Sequence, residues 1–153
     1  MNAHVVSSLT FERGGRAPDY ADVAIIALPH GTPTDPAQWA RTIFSMRTSP
    51  AWVRAALGLR QLVVPLMGIA RSPRNTFAVD EVSSNEALIC ASERHLDFRC
   101  AVGVDEEAGL VTVTTAVELH GLRGLLYFAP VRLAHPIVVH SMLTRAARVL
   151  TPS

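Results

Sequence analysis

The chain has no lysine: all 14 of its basic residues are arginine. Without a lysine ε-amine there is no Schiff base with a carbonyl substrate or pyridoxal phosphate, and no phosphate loop of the kind that needs a lysine after its glycines. Cysteine is nearly absent too. Cys90 and Cys100 stand ten residues apart with no CxxC spacing, a pattern of two reduced, buried thiols rather than a disulfide framework. Charge is sparse, at 18% of residues with a net of +1. The signs are interspersed, which argues against a nucleic-acid groove or a polybasic membrane patch. The most apolar window, Ala51 to Ala70, is interrupted by Arg54, Arg60, Gln61 and Pro65, so no membrane partner is expected. The first residues lack the basic start and apolar run of a secretion signal, which predicts a cytoplasmic protein. No GxSxG, HExxH or GxGxxG occurs, and no cofactor is expected.

What is present is apolar bulk, 49% of 153 residues, enough for one core without metal or disulfide support. Residues 1–18 read as a loose lead-in and residues 19–153 as one domain. Val23–Leu28 is an unbroken apolar run ending at Pro29, which predicts a first strand buried on both faces. Thr34 or Asp35 can cap a short helix carrying Trp39, Ile43 and Met46 on one face, with Pro36 in its first turn. Ser49 and Pro50 open a second helix, which Pro65 and Gly68 close. From Thr76 the apolar period becomes two, predicting short strands over Phe77–Val82 and Glu86–Ala91 and long ones over His95–Val104 and Leu110–His120. A last helix is predicted from about Gly124 to Leu150, bent or split at Pro130 and Pro136. The fold class is α+β, an antiparallel sheet wrapped on a long C-terminal helix.

The long hairpin carries the densest polar cluster. Leu96, Phe98, Cys100, Val102 and Val104 share one strand face, and Val111, Val113, Val117 and Leu119 share one face of the other strand. Bringing these sets together pairs Phe98 with Val117 and Leu96 with Leu119. The opposite face then sets Asp97 across from Glu118 and His95 across from His120, with Arg99 one step on. Three readings follow. The face is solvated, with the histidines and Arg99 offsetting the carboxylates. Or it lines a cavity, where these residues bind a polar group or act as acid and base. Or His95, Asp97, Glu118 and His120 hold a metal, for which no second-shell signal exists, so none is assigned. The solvated reading is the default for a sheet covered on one side. Tyr127 is placed to offer a hydroxyl from the gripped helix, and His135 is read as a cap or as a pocket-mouth residue.

The segments DYADVAIIALP, DPAQWARTIF, PAWVRAALGLR, RHLDFR and TTAVELHGLRGLLYFAPVRLAH resemble a bacterial family of domains of unknown function, number 2867. The resemblance implies a START-like (SRPBCC), helix-grip domain, with relatives that stand alone or follow dehydrogenase-like domains. It implies no activity. The expectation is binding of a small, largely apolar molecule between sheet and C-terminal helix, with Tyr127, Glu118, Phe98 and His135 as ligand contacts. The alternatives are an enzyme using Asp97 or Glu118 with His95 or His120, and an accessory module for a dehydrogenase-like partner or a homodimer.

Overall fold

The computed structural model describes residues 9–13, 16–45, 47, 49–63 and 78–152. The elements run α1 (Leu9–Glu12), β1 (Tyr20–Ala27), α2 (Pro36–Ile43), α3 (Ala51–Val63), β2 (Glu81–Val82), β3 (Glu86–Ser92), β4 (Leu96–Asp105), β5 (Leu110–Leu119) and α4 (Gly121–Leu150). The strands form one antiparallel sheet in the order β1-β5-β4-β3-β2. With α4 laid along one face, this is a helix-grip arrangement of the α+β class.

The hairpin register is the one its apolar pattern dictates: Leu96 faces Leu119, Phe98 faces Val117, and Asp97 faces Glu118. A one-residue slip would turn every apolar side chain of one strand out of the core. The inner face packs Ile89, Cys100, Val102, Val104, Val111 and Val113 against Trp39, Ala40 and Ile43 of α2 and Val139, Met142, Leu143 and Ala146 of α4. α2 is held at its start by Asp35, whose carboxylate accepts the Ala37 N–H at 2.9 Å, and Pro36 sits where a missing donor costs nothing. Trp39, fully buried, donates its indole N–H to the Pro33 carbonyl at 2.7 Å.

Three expectations are corrected. β1 is not buried on both faces. It is an edge strand whose residues alternate between half-buried and exposed, leaving Val23 and Ile25 about half exposed. The run is unbroken because the outward residues are aliphatic as well. α4 is neither split by its prolines nor delayed to Gly124: it runs unbroken over 30 residues from Gly121, about 45 Å at the usual rise. Pro130 and Pro136 remove the donors that would pair with the carbonyls of Leu126 and Arg132. All four residues are exposed, so water can take those carbonyls and the helix continues. Finally, β2 covers only Glu81–Val82; Phe77, like Met46, Pro65 and Gly68, lies outside the described residues.

The outer face of the sheet is also covered at its centre. Leu9–Glu12, within the stretch read from the sequence as a lead-in, forms a helical turn there. Its Thr10 is fully buried, and the Leu9 N–H donates to Glu86 at 2.8 Å.

The other tight junction is at the start of α4. Gly121 has φ +65°, a turn conformation that L side chains rarely adopt. Gly124 packs so closely on the β3–β4 turn that a Cβ there would stand 2.3 Å from the His95 carbonyl oxygen.

Candidate functional site

The predicted polar cluster is assembled and then divided. Asp97 and Glu118 are neighbours across the ladder, on the sheet face away from α4, yet each has its own partner. Glu118 takes Arg99 at 2.5 Å, and both are nearly buried, at 8% and 12% exposure. Arg99 also donates its Nε–H to the Thr10 carbonyl at 3.0 Å, and Arg16 approaches Glu118 from outside at 3.8 Å. This ion pair is the polar seat of α1. Asp97 pairs instead with His120 Nε2 at 3.0 Å and accepts the Ser92 hydroxyl at 2.5 Å. Burial would raise its carboxyl pKa, but the hydrogen bonds from Ser92 and His120 overcome this and hold it below the usual carboxylate range.

His95 and His120 meet through the backbone, where the His120 N–H donates to the His95 carbonyl at 2.9 Å. The His95 ring is buried edge-on against Tyr127, centroids 5.0 Å apart, with Glu93 3.2 Å from its Nε2. Tyr127 and His95 therefore lock the α4 start to the β3–β4 turn. Phe98 borders the inner core. Among the described residues, no three of His, Cys, Asp and Glu are placed to hold a metal ion. The two thiols lie on opposite faces, since Cys90 faces Arg99 and Cys100 faces Ile89 in neighbouring rungs. Both are free, but only Cys100 is buried as expected; Cys90 is exposed on the outer face, and burial pushes the Cys100 thiol up to about 12.

Of the residues singled out from the sequence, His135 enters a site of a different kind. Its partner is Asp22, 113 residues away: His135 Nδ1 lies 2.8 Å from Asp22 Oδ2. The same oxygen accepts the Tyr20 hydroxyl at 2.6 Å. Tyr20 and Asp22 are alternate residues of β1 and so point to the same, inner face. Its ring packs edge-on against Phe128 at 5.0 Å and against His135 at 5.7 Å. Phe128 and His135 are seven residues, two turns, apart on α4, so a single helix stripe meets a single strand stripe.

The electrostatics follow from that geometry. Burial would raise the Asp22 pKa; the hydrogen bonds from His135 and Tyr20 and the imidazole charge together bring it below its ordinary value. Tyr20 is pushed far above its ordinary value by burial and by the carboxylate it donates to. Asp22 is thus an ionised, nearly buried carboxylate at 18% exposure. As an ionised acceptor it takes the proton of His135 on Nδ1 and so fixes the orientation of that ring against β1. Asp22 Oδ1 is buried without a hydrogen bond among the described residues. Thr115 faces it across the ladder and adds to the lowering of its pKa, while the Thr115 hydroxyl bond runs to Cys100 Sγ at 3.9 Å.

Beside this network, between the free edge of β1 and α4, lies a cleft of about 310 Å³ lined by Asp22, Val23, Ala24, Ile25, Pro136 and His140. It is aliphatic apart from one carboxylate and one imidazole. Tyr20 and Asp22 carried a sequence signal only as the polar positions of an otherwise apolar strand. Nothing local to them pointed to His135.

No curated protein matches the chain. No solved structure matches it either. A family model does: residues 16–142, which include β1, the hairpin and α4 as far as Met142, match the protein of unknown function family DUF2867, and the chain belongs to that family.

Proposed function

We propose that this domain binds a small, largely apolar molecule bearing a hydroxyl group, in the cleft between β1 and α4. The observation that carries the reading is the Asp22–His135 pair at 2.8 Å beside that aliphatic cleft. A pocket of a few hundred Å³ with apolar walls and one or two oriented polar groups is what small-molecule recognition needs. Asp22, held in place by His135, and His140 are the two polar groups on the cleft wall that can meet a ligand hydroxyl. Val23, Ala24, Ile25 and Pro136 supply the apolar walls. The sequence-derived anchors Glu118 and Tyr127 have other uses here: Glu118 pairs with Arg99, and Tyr127 packs on His95.

The test is calorimetric titration with 2-naphthol, a planar apolar molecule with one hydroxyl. Saturable binding by the wild type, weakened about tenfold or more in His135→Ala and abolished by filling the cleft in Ala24→Trp, is the expected result. Binding that both variants leave unchanged, or no saturable binding at all, would sink the proposal.

A second reading rests on the two titratable groups of the cleft wall. A carboxylate or an imidazole within reach of a bound hydroxyl can act as a general base, and Asp22 and His140 occupy that wall. Turnover of a hydroxylated ligand that stops in Asp22→Asn, with binding retained, would distinguish enzyme from binding module.

A further inference from the structure

The outside of α4 and the edge of β1 expose more large aliphatic surface than a monomer ordinarily leaves in water. Leu122, Leu125, Leu126, Leu133 and Ile137 are 57–74% exposed, and Val23 and Ile25 of β1 are 54% and 51% exposed. These are not scattered. Along α4, Leu122, Leu126, Ala129 and Leu133 recur at steps of four, three and four, and the same stripe continues to Pro136 and His140. Those last two residues line the cleft against Val23 and Ile25, so the stripe and the strand edge form one flank. Its spacing is that of a helix–helix seam.

The strand edge is itself unprotected. Leu28 donates its N–H to the Gly109 carbonyl at 2.8 Å. With the β1–β5 register, this directs the peptide groups of the even-numbered residues of β1 to β5. Those of Ala21, Val23, Ile25 and Ala27 face outward. Within the eight residues of β1 there is no lysine or proline, and the single charge, Asp22, points to the inner face and is already paired. Edges left in this state invite another strand.

We propose that two copies of this chain associate through this flank, β1 pairing antiparallel with β1 of the partner about a two-fold axis and the α4 stripes packing beside it. The pairing is self-complementary. With the axis at Ala24, Val23 lies opposite the partner's Ile25, and the outward peptide groups of each strand meet those of the other. Seven aliphatic side chains at roughly 100 Å² each provide about 700 Å² per copy, close to the ~800 Å² per partner of a stable interface. The flank includes the walls of the ligand cleft, so a ligand and a second copy compete for Val23 and Ile25; association is read on ligand-free protein, so that failure of one reading is distinguishable from failure of the other.

Sedimentation velocity across a wide concentration range is the test. The expected result is a species of twice 16.5 kDa that dissociates on dilution. Ile25→Lys and Leu133→Glu should each weaken it at least about tenfold. Val82→Glu, at an exposed site on β2 at the opposite edge of the sheet, should not. Hydrogen exchange adds a readout that needs no variant: the Val23 and Ile25 amides should gain protection as concentration rises. A monomer at every concentration would overturn the proposal, as would a dimer indifferent to both variants, or a monomer that instead sediments with phosphatidylcholine–phosphatidylglycerol vesicles.

Discussion

Gly124→Ala is the substitution on which the tertiary argument can be examined most sharply. In an exposed helix interior, replacing glycine by alanine stabilises by about 1 kcal/mol. Here the new methyl carbon would stand 2.3 Å from the His95 carbonyl oxygen, about 1 Å inside an ordinary contact. The obstacle is backbone, so no side chain can turn away. That carbonyl also accepts the His120 N–H at 2.9 Å, and the His95 ring packs on Tyr127, so moving the turn disturbs both. Overpacking costs about 1–3 kcal/mol; with backbone as the obstacle the cost lies at the upper end, about 2–3 kcal/mol, and set against the propensity gain the net is a loss of about 1–2 kcal/mol. For a domain of this size that lowers Tm by about 2–8 °C. Gly58 of α3 is the internal control, because a Cβ there meets nothing within 4 Å. Gly58→Ala should raise stability by up to about 1 kcal/mol. Thermal melts of both variants alongside the wild type decide the matter. A Gly124→Ala protein as stable as the wild type, or more so, would refute the close approach of α4 to the β3–β4 turn.

Three further outcomes are expected. Asp22→Asn should cost about 1–3 kcal/mol near neutral pH, because His135 and Tyr20 lose a charged acceptor in a nearly buried site. The Asp22 pKa is lowered on folding, so its contribution is present above the ordinary carboxylate pKa of about 4 and is lost as pH falls through the lower folded value. Urea melts of wild type and variant should therefore converge below about pH 4, and a constant gap down to pH 2 would contradict the assignment. Glu118→Gln should cost about 3 kcal/mol by leaving Arg99 buried without its counter-charge. Replacing both Arg99 and Glu118 by methionine should cost much less in the same melts, while raising hydrogen exchange over residues 9–12. Native protein should yield one thiol to Ellman's reagent at pH 8 and two in guanidinium, because Cys90 is exposed and Cys100 is buried with its pKa near 12.

The candidate site shows where a sequence stops being readable. Pattern alone sets Asp97 opposite Glu118, because period-two alternation in two adjacent strands leaves one register with all apolar residues inside. Their partners were less accessible. That Glu118 is neutralised by Arg99 beneath α1 depends on a segment with no periodic signal, folded onto the sheet by Thr10 and the Leu9 amide. Asp22 and His135 were separated by most of the chain, and only the pairing of β1 with β5 under α4 brings them to 2.8 Å.

Local pattern is enough for the α+β class, the order of elements from β1 onward, the hairpin register and the apolar stripe that seats the second half of α4. All of these follow from local periodicity, turn residues and caps. Tertiary structure decided that β1 is an edge, that α4 runs through two prolines because its exposed carbonyls can be hydrated, that Gly124 must lack a side chain, and that the network sits at Asp22 and His135. Each of these depends on which surfaces meet across long separations. Burial and charge pairing, rather than local propensity, select among those contacts.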